Sequence, residues 1–378
     1  MRKSALGPVA WWGGERIALE SLDIVTLGAG GGSIAHVGAG GMMRVGPRSA
    51  GAVPGPACYG GGGQEPAVTD ANLVLGYLDP DRFLGGARSL DRAAAEAAVD
   101  RLAGRLGLDR MACAAGIHAL ANVAMADGIR VATVRRGVDP RGFTLLSFGG
   151  AAGLHASAVA RDLGMSRVAV PLLAAGLSAW GMLQTDLRYE VSRSLVGAAG
   201  LPDEPAIRAL FAELEAAARD RMAQWMAGDP AIRRSADMRY GEQVFEVGVP
   251  LDAVDWPASG LPAALTDAFH ARHEALFTYA LRGEEVVLVT ARVAAVGRLP
   301  PLPAPLLPDG PPATPVVTRR AFVEGAVAEL PVFAFTALAP GQPVAGPAIV
   351  ESDTTTVLLL PGDVARLDAR GWLGVMVG

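Results

Sequence analysis

The apolar positions of this chain fall into three patterns, and each predicts a different kind of element. From residue 91 to 107 they recur every three or four positions in an Ala-rich run opened by Asp91, which predicts an amphipathic helix. Residues 110–134 continue with a longer helix that is apolar on most of its circumference. Residues 143–148 are a continuous apolar strand followed by Gly149-Gly150-Ala151-Ala152-Gly153, a helix over 154–163 and a strand at 168–170. Strand, small-residue turn, helix and strand make a βαβ unit, and such a unit implies parallel pairing. Upstream, 22–27 reads as a buried strand, 33–37 and 42–45 as a hairpin around Gly38 to Gly41, and 69–76 as a short helix with Thr69 and Asp70 as N-cap residues. Downstream come a helix at 203–228, alternating β positions at 236–251, a helix at 262–279 and a Val-rich strand at 285–297. Residues 46–66 are almost entirely turn formers, too many for an idle connection, and are expected to be a functional loop packed on the core.

Composition narrows the class. Of 378 residues, 51% are hydrophobic, 19% are charged, and the formal net charge is −5. This excludes a disordered chain and disfavours nucleic acid or an anionic membrane as partner. The 48 glycines carry no collagen period and point to many tight turns. Two cysteines, Cys58 and Cys113, lack zinc spacing and are expected to be reduced thiols of a cytoplasmic protein. A mean hydropathy of +0.31 calls for a search for membrane spans. The best stretch, 168–183, is broken by Pro171, Gly176 and Gly181 and reads instead as a buried strand and helix. The basic start, Met1-Arg2-Lys3, is followed by Gly7, Pro8, Gly13 and Gly14 and does not read as a signal peptide.

Two glycine turns carry the candidate chemistry. Gly28, Gly30, Gly31 and Gly32 let backbone N–H groups converge on an anion, and Ser33 adds a hydroxyl; the alternative is a purely structural turn. Gly149 and Gly150 lie between a strand and a helix N-terminus, where a phosphate or a flat base has room; the alternative is close strand–helix packing. His155 is placed for acid–base work or for capping. Asp70 and Asn72 follow the long loop, and Asp70 reads equally as a Mg²⁺ or catalytic carboxylate and as a helix cap. His270 and His273 share a helix face without a third ligand and are expected to be exposed; Asp127 and Arg130 are expected to form a buried ion pair; Cys58 reads as a buried thiol.

Six strings together resemble the hydantoinase A/oxoprolinase family: GAGGGSIA (28–35), RVGPRSAGAVPGPACYG (44–60), TDANLVLGYLDPDRFLGG (69–86), GVDPRGFTLLSFGG (137–150), LHASAVARDLG (154–164) and GPAIVESDTTTVLLLPG (346–362). The resemblance runs from about residue 22 to the C-terminus. It implies ATP-dependent opening of a cyclic amide such as 5-oxoproline or a hydantoin, with Mg²⁺ or Mn²⁺ and commonly a B-type partner subunit in an oligomer. It also implies an α/β fold similar to the actin/sugar-kinase/Hsp70 nucleotide-binding architecture. There Gly149 and Gly150 would contact the adenosine side, and the 28–35 turn would face the same cleft. Asp70 and His155 would supply the catalytic groups.

The sequence departs from that pattern in three places. The upstream Asp-containing Gly-Thr loops, which hold phosphates and metal in the family, are not found. The family's Gly-Pro after the adenosine turn is Ala152-Gly153 here, and its Tyr-x-Gly-Gln is Tyr240-Gly241-Glu242-Gln243. The expected organisation is therefore an incomplete ATPase core over 1–200, an α+β extension over 201–297, a Pro-rich linker over 298–317 and a small β-rich domain over 318–378. Two functional readings follow. One is part of an ATP-dependent cyclic-amide hydrolase; the other is a non-catalytic binding or assembly module that needs a separate N-terminal part or a B-type subunit. A carbohydrate-kinase relative leaves the PGPACYG loop unexplained.

Overall fold

A computed structural model describes residues 24–378 apart from Val196, Ala198, Glu242, Pro257, Ala258, Ala304 and Pro305, and gives backbone strands alone at a few positions before residue 24. The expectations for residues 1–23, and for Glu242, lie outside the described residues. The chain divides into two compact units: residues 1–180 together with 304–378, and residues 181–303.

In the first unit the hairpin pairs Ser33–Val37 with Met43–Ser49 antiparallel, as its alternation predicts. Three helices pack beside it: Val68–Val74, Arg92–Leu106 and Arg110–Thr133. The caps are legible in the sequence, since Asp91 accepts from Ala94 N at 2.9 Å and Asp109 from Ala112 N at 2.8 Å, each satisfying an orphan N–H of its helix. Val68, Leu73, Leu75, Val99, Leu102 and Ile117 are the centre of the core they share. Among the described residues one helix, Arg110–Arg136, is long and apolar enough to cross a membrane by composition alone. It packs against the Val68–Val74 and Arg92–Leu106 helices and the hairpin, with Cys113, Ile117 and Ala121 fully buried. That placement accounts for part of its apolarity, while Val123, Val131 and Val134 on the same helix are exposed.

The βαβ expectation holds. Leu145–Leu146 pairs parallel with Arg167–Pro171, and the helix Ala156–Asp162 connects them. The sheet then continues through the C-terminal strands, because Trp372–Met376 pairs antiparallel with Arg167–Pro171 and Val364–Leu367 lies beyond it. A separate domain at 318–378 was expected, but these residues share a sheet with 145–171. A second sheet runs Val317–Val323, Ala326–Ala334, Ala348–Glu351 and Thr356–Leu359. Short strands with few local contacts hid this joint core, which buries Val168, Val170, Val350, Val357, Leu359, Leu373 and Val375 together.

The second unit is an antiparallel sheet, ordered Val247–Pro250, Ala231–Tyr240, Val286–Gly297 and Leu187–Ser194. Helices Glu204–Met222 and Leu261–Phe277 bury Ile207, Phe211, Leu265 and Phe269 in its core. The expected exposure of His270 and His273 is wrong. Both are buried, His270 Nδ1 lies 2.7 Å from the Tyr240 hydroxyl, and His273 Nδ1 lies 2.8 Å from the carbonyl of Tyr279. Aromatic neighbours, which periodicity does not reveal, draw them inward.

Gly153 shows how tightly the small-residue turn meets the C-terminal sheet. A Cβ there would stand 2.6 Å from the carbonyl oxygen of Thr356 and 2.9 Å from the Val357 side chain. Gly153→Ala is therefore expected to destabilise the protein by about 1–3 kcal/mol, the usual range for overpacking. Chemical denaturation measures this, and an unchanged midpoint would show that the strand Thr356–Leu359 yields freely.

Candidate active site

Asp70 is completely buried at the start of the Val68–Val74 helix. Its Oδ2 accepts from Ala67 N at 2.8 Å and Ala57 N at 3.1 Å, and its Oδ1 accepts from Cys58 N at 2.7 Å. Three backbone donors thus occupy both oxygens. The expectation of a metal ligand or acid–base group is corrected accordingly: Asp70 is the anchor of the loop Pro56-Ala57-Cys58. The helix-cap alternative is the one realised, with Ala67 rather than Thr69 or Asp70 at the cap position. Among the described residues no three His, Cys, Asp or Glu side chains are grouped to hold a metal. Cys58 is fully buried against Asp70, and burial followed by the Asp70 charge raises its thiol pKa. It is an inert thiol.

The two glycine turns meet. Thr69 donates its N–H and its hydroxyl to the carbonyl of Gly31, both at 2.9 Å. A Cβ on Gly31 would lie 2.8 Å from Thr69 Oγ1 and 3.9 Å from the Cβ of Ala151, so the bends flank one threonine. Within the first turn, Ser33 Oγ accepts from Gly30 N at 3.0 Å and donates to Gly28 O at 3.1 Å. That hydroxyl is spent inside the turn, not offered outward as expected. A Cβ on Gly28 would strike Pro47, one on Gly32 the Ser49 hydroxyl; Gly30 alone of these faces open space. In the second turn Gly149 has φ +101° and open space around its Cβ position, while a Cβ on Gly150 would be 3.0 Å from the carbonyl of Thr354.

Between the second turn and the C-terminal sheet lies a cavity of about 480 Å³. Its wall includes Tyr59, Thr69, Asn72, Gly150, Ala151 and the segment Glu351 to Thr356. With Leu154, and apart from Ala151, these belong to five of the six strings singled out in the sequence, and Tyr59 and Thr356 stand 297 positions apart. On one side Arg319 holds Glu351 through two contacts of 2.9 and 3.1 Å, and Asp79 at 3.1 Å. The single guanidinium thus ties down two carboxylates of the wall and offsets the charge of one. Arg82 and Asp353 also line it, both exposed. Thr355 is 2% exposed, and its hydroxyl has no hydrogen-bond partner. The wall combines apolar side chains (Leu78, Phe83, Leu154) with convergent polar groups, the usual make-up of a small-molecule site. Sequence reasoning did not single out Ser352, Thr354 or Thr355 as site residues; a polar run between two apolar strands was the available signal.

His155 is 1% exposed and faces the interior from the first residue before the Ala156–Asp162 helix. Its Nδ1 lies 2.6 Å from Asn122 Oδ1, and its ring stacks on His118 with centroids 4.5 Å apart. His118 Nδ1 in turn meets Asn72 Oδ1 at 2.8 Å. Burial lowers the His118 pKa to about 4. Burial first, and the adjacent His118 second, lower that of His155 to about 3. His155 is shielded from solvent, and burial disfavours the charged form of both rings, so His155 is not placed to exchange a proton with the cavity's solvent. The expected Asp127–Arg130 pair forms at 2.8 Å, but on the surface, where Arg130 also reaches Asp162 at 3.1 Å.

The chain belongs to the hydantoinase/oxoprolinase family, whose profile matches residues 6–191 and whose C-terminal-domain profile matches 203–374. It is 39% identical to the caprolactamase alpha subunit of Pseudomonas jessenii over 93% of this chain and 52% of that protein. It is 32% identical to 5-oxoprolinase 1 of Arabidopsis thaliana, over 96% of this chain and 30% of that protein. Its fold matches nucleotide-free acetone carboxylase with a TM-score of 0.81 at 27% identity, covering 93% of this chain and 52% of that one. The ATP-dependent caprolactamase structure of Pseudomonas jessenii matches with a TM-score of 0.63 at 37% identity, covering 96% and 54%. The chain therefore spans about half the length of the caprolactamase and carboxylase relatives and less of the oxoprolinase.

Two predictions follow from this geometry. Asp70→Ala strands the N–H groups of Ala57, Cys58 and Ala67; at about 1–3 kcal/mol for each buried group left unpaired, a loss of about 3 kcal/mol or more is expected in urea denaturation. A loss below about 1 kcal/mol would mean that water replaces the carboxylate. The histidines give a pH signature. An unfolded histidine titrates near about 6.5, while the folded pair resists protonation until about pH 4 and about pH 3. The unfolded chain thus binds more protons throughout that window. Stability is full above about pH 6.5 and falls as the pH drops towards 4, by up to about 1.4 kcal/mol per pH unit for each histidine. His155→Gln is expected to flatten that slope relative to the wild type; identical slopes would show that His155 is protonated in the fold.

Proposed function

We propose that this chain forms part of an ATP-dependent enzyme that opens a cyclic amide, with the cavity beside Thr69 and Gly150 as the place where the amide and the transferring phosphoryl group meet. The observation that carries the reading is the convergence of five separate family strings on one cavity wall. The relatives named for caprolactamase and 5-oxoprolinase activity supply the reaction class. The carboxylase relatives share the fold but are named for another reaction, so the family's common element is ATP-driven activation of a carbonyl compound.

The chemistry needs a nucleophilic amide oxygen held near a phosphate. That oxygen attacks the γ-phosphorus of ATP, and ADP leaves. Water adds to the activated carbon, the ring C–N bond breaks and the nitrogen takes a proton. A second water releases phosphate from the resulting acyl phosphate, leaving the amino acid. In this chain the open surface at Gly149 and Gly30 suits a nucleotide phosphate or base, since no side chain stands in the way. The hydroxyl-rich segment Ser352 to Thr356 offers donors to the oxygens of the guest. Asp70 serves by fixing the loop rather than by touching substrate. A divalent cation does not fit at Asp70, which is completely buried, accepts three backbone N–H bonds and has no further ligating side chains grouped with it among the described residues.

The caprolactamase and carboxylase relatives are named as subunits, which supports a second subunit as partner; a B-type subunit is our proposal, as is a cytoplasmic setting with reduced Cys58 and Cys113. The competing reading, a non-catalytic module of the same family, is separated by assay. The chain, alone and with its co-purified or co-expressed partner subunit, is incubated with ATP and ε-caprolactam, 5-oxoproline or hydantoin. Amino-acid and ADP release in step, in the presence of the partner, is the expected result; nucleotide binding without turnover in every combination would favour the module. Gly150→Val adds a branched side chain at the turn, where the first carbon already meets Thr354 O at 3.0 Å. It is expected to weaken ATP binding at least tenfold, about 1.4 kcal/mol. Unchanged affinity in a folded variant would remove the nucleotide from this turn.

A further inference from the structure

The buried polar chain behind the cavity has a direction. His155 Nδ1 faces Asn122 Oδ1, an acceptor, at 2.6 Å, so Nδ1 carries the hydrogen. In a neutral imidazole Nε2 is then a bare acceptor, and Asn72 Nδ2 lies against it at 3.5 Å, the longest link of the chain. Asn72 Oδ1 accepts from His118 Nδ1 at 2.8 Å. Donation therefore runs one way: His118 to Asn72, Asn72 to His155, His155 to Asn122. The near-parallel stack, at 4.5 Å and 17°, leaves no room for two positive charges in a buried site.

Reversing the Asn72 carboxamide would set two donors face to face at His118 and two acceptors face to face at His155. The bond at His155, whose tautomer Asn122 fixes, would be lost in a buried place, and the bond at His118 would survive only if that ring moved its hydrogen to Nε2. Asn72 is 1% exposed to solvent and lines the cavity. Its Nδ2 has two hydrogens, and His155 uses one. We propose that His118 and His155 are positioning residues that lock Asn72 in one orientation, so that its remaining N–H is the donor to the carbonyl oxygen of a cyclic amide in the cavity. This rests on the reading of the cavity given above, and it adds the residue that orients the guest. Tyr77, edge-on to His118 at 5.2 Å, closes the far side of the stack.

The chain has five histidines, so ring-labelled protein gives few enough signals to assign with single variants. Nitrogen spectra at pH 7 are expected to show His118 and His155 neutral and hydrogen-bearing at Nδ1; an Nε2–H form of either ring overturns the locked orientation. Calorimetry on the full chain with ε-caprolactam and 5-oxoproline tests the donor. Asn72→Asp, which keeps the shape but loses the N–H, is expected to raise Kd at least tenfold. His155→Leu is expected to raise it about fivefold, and His155→Gln, whose amide can accept from Asn72 and donate to Asn122, to stay within about twofold of wild type. Equal binding by all four folded proteins would reduce the histidines to packing. Absence of lactam binding in the wild type would sink the cavity reading and the guest assignment together, whereas lactam binding with an unaffected Asn72→Asp would sink the donor assignment alone.

Discussion

One buried carboxylate organises the first unit. Asp70 gathers the N–H groups of Ala57, Cys58 and Ala67, and so ties a glycine- and proline-rich loop to the first turn of a helix. Charge-assisted bonds to backbone donors are among the stronger ones a protein makes, and here water is excluded from all three. With the helix start fixed, Thr69 stands where it can hold Gly31, and Asn72 follows three residues on, facing the histidine pair. Tyr59, just past the anchored loop residues, reaches the cavity wall. The loop from 46 to 66 can be long without being loose because its far end is pinned at this one acid.

The cavity depends on a second constraint, the contact between a small-residue turn and the C-terminal sheet. Gly153 leaves just enough space for the carbonyl of Thr356, and Gly150 for that of Thr354. Gly150 O also accepts from Thr356 N at 3.4 Å. Larger residues at 150 or 153 would push away the segment that supplies the hydroxyl side of the wall. The glycines thus have a packing role and an access role at once, and the two alternatives that the sequence leaves open are not exclusive at this turn.

Much of the secondary structure was legible because it rests on local rules. Asp91 caps the helix it is read to open, Asp109 and Asp203 cap theirs without having been singled out, and the βαβ unit read over 143–170 is present, its first strand reduced to Leu145–Leu146. The misreadings share one cause. Asp70, His155, His270 and His273 are polar residues whose partners lie off their own helical repeat, from the loop at Ala57 and Cys58 for Asp70 to Asn122 for His155 and Tyr240 for His270, and a polar residue near a loop reads as accessible until those partners are known. The same limit hid the joint sheet formed by 145–171 and 343–376, since strands of three to five residues show no periodicity of their own. The strings that marked the family did point to the cavity, although Ser352 to Thr355 and His118 gained their meaning only from their neighbours.

The first unit is discontinuous, and this orders events during synthesis. Arg167–Pro171 cannot complete its pairing until Trp372–Met376 has been made, about two hundred residues later. The intervening 181–303 unit has its own sheet and its own core, so it can finish while the earlier strand still waits with one edge open. On the ribosome the inserted unit can therefore fold before residues 351–356, which supply the hydroxyl side of the cavity, have been made.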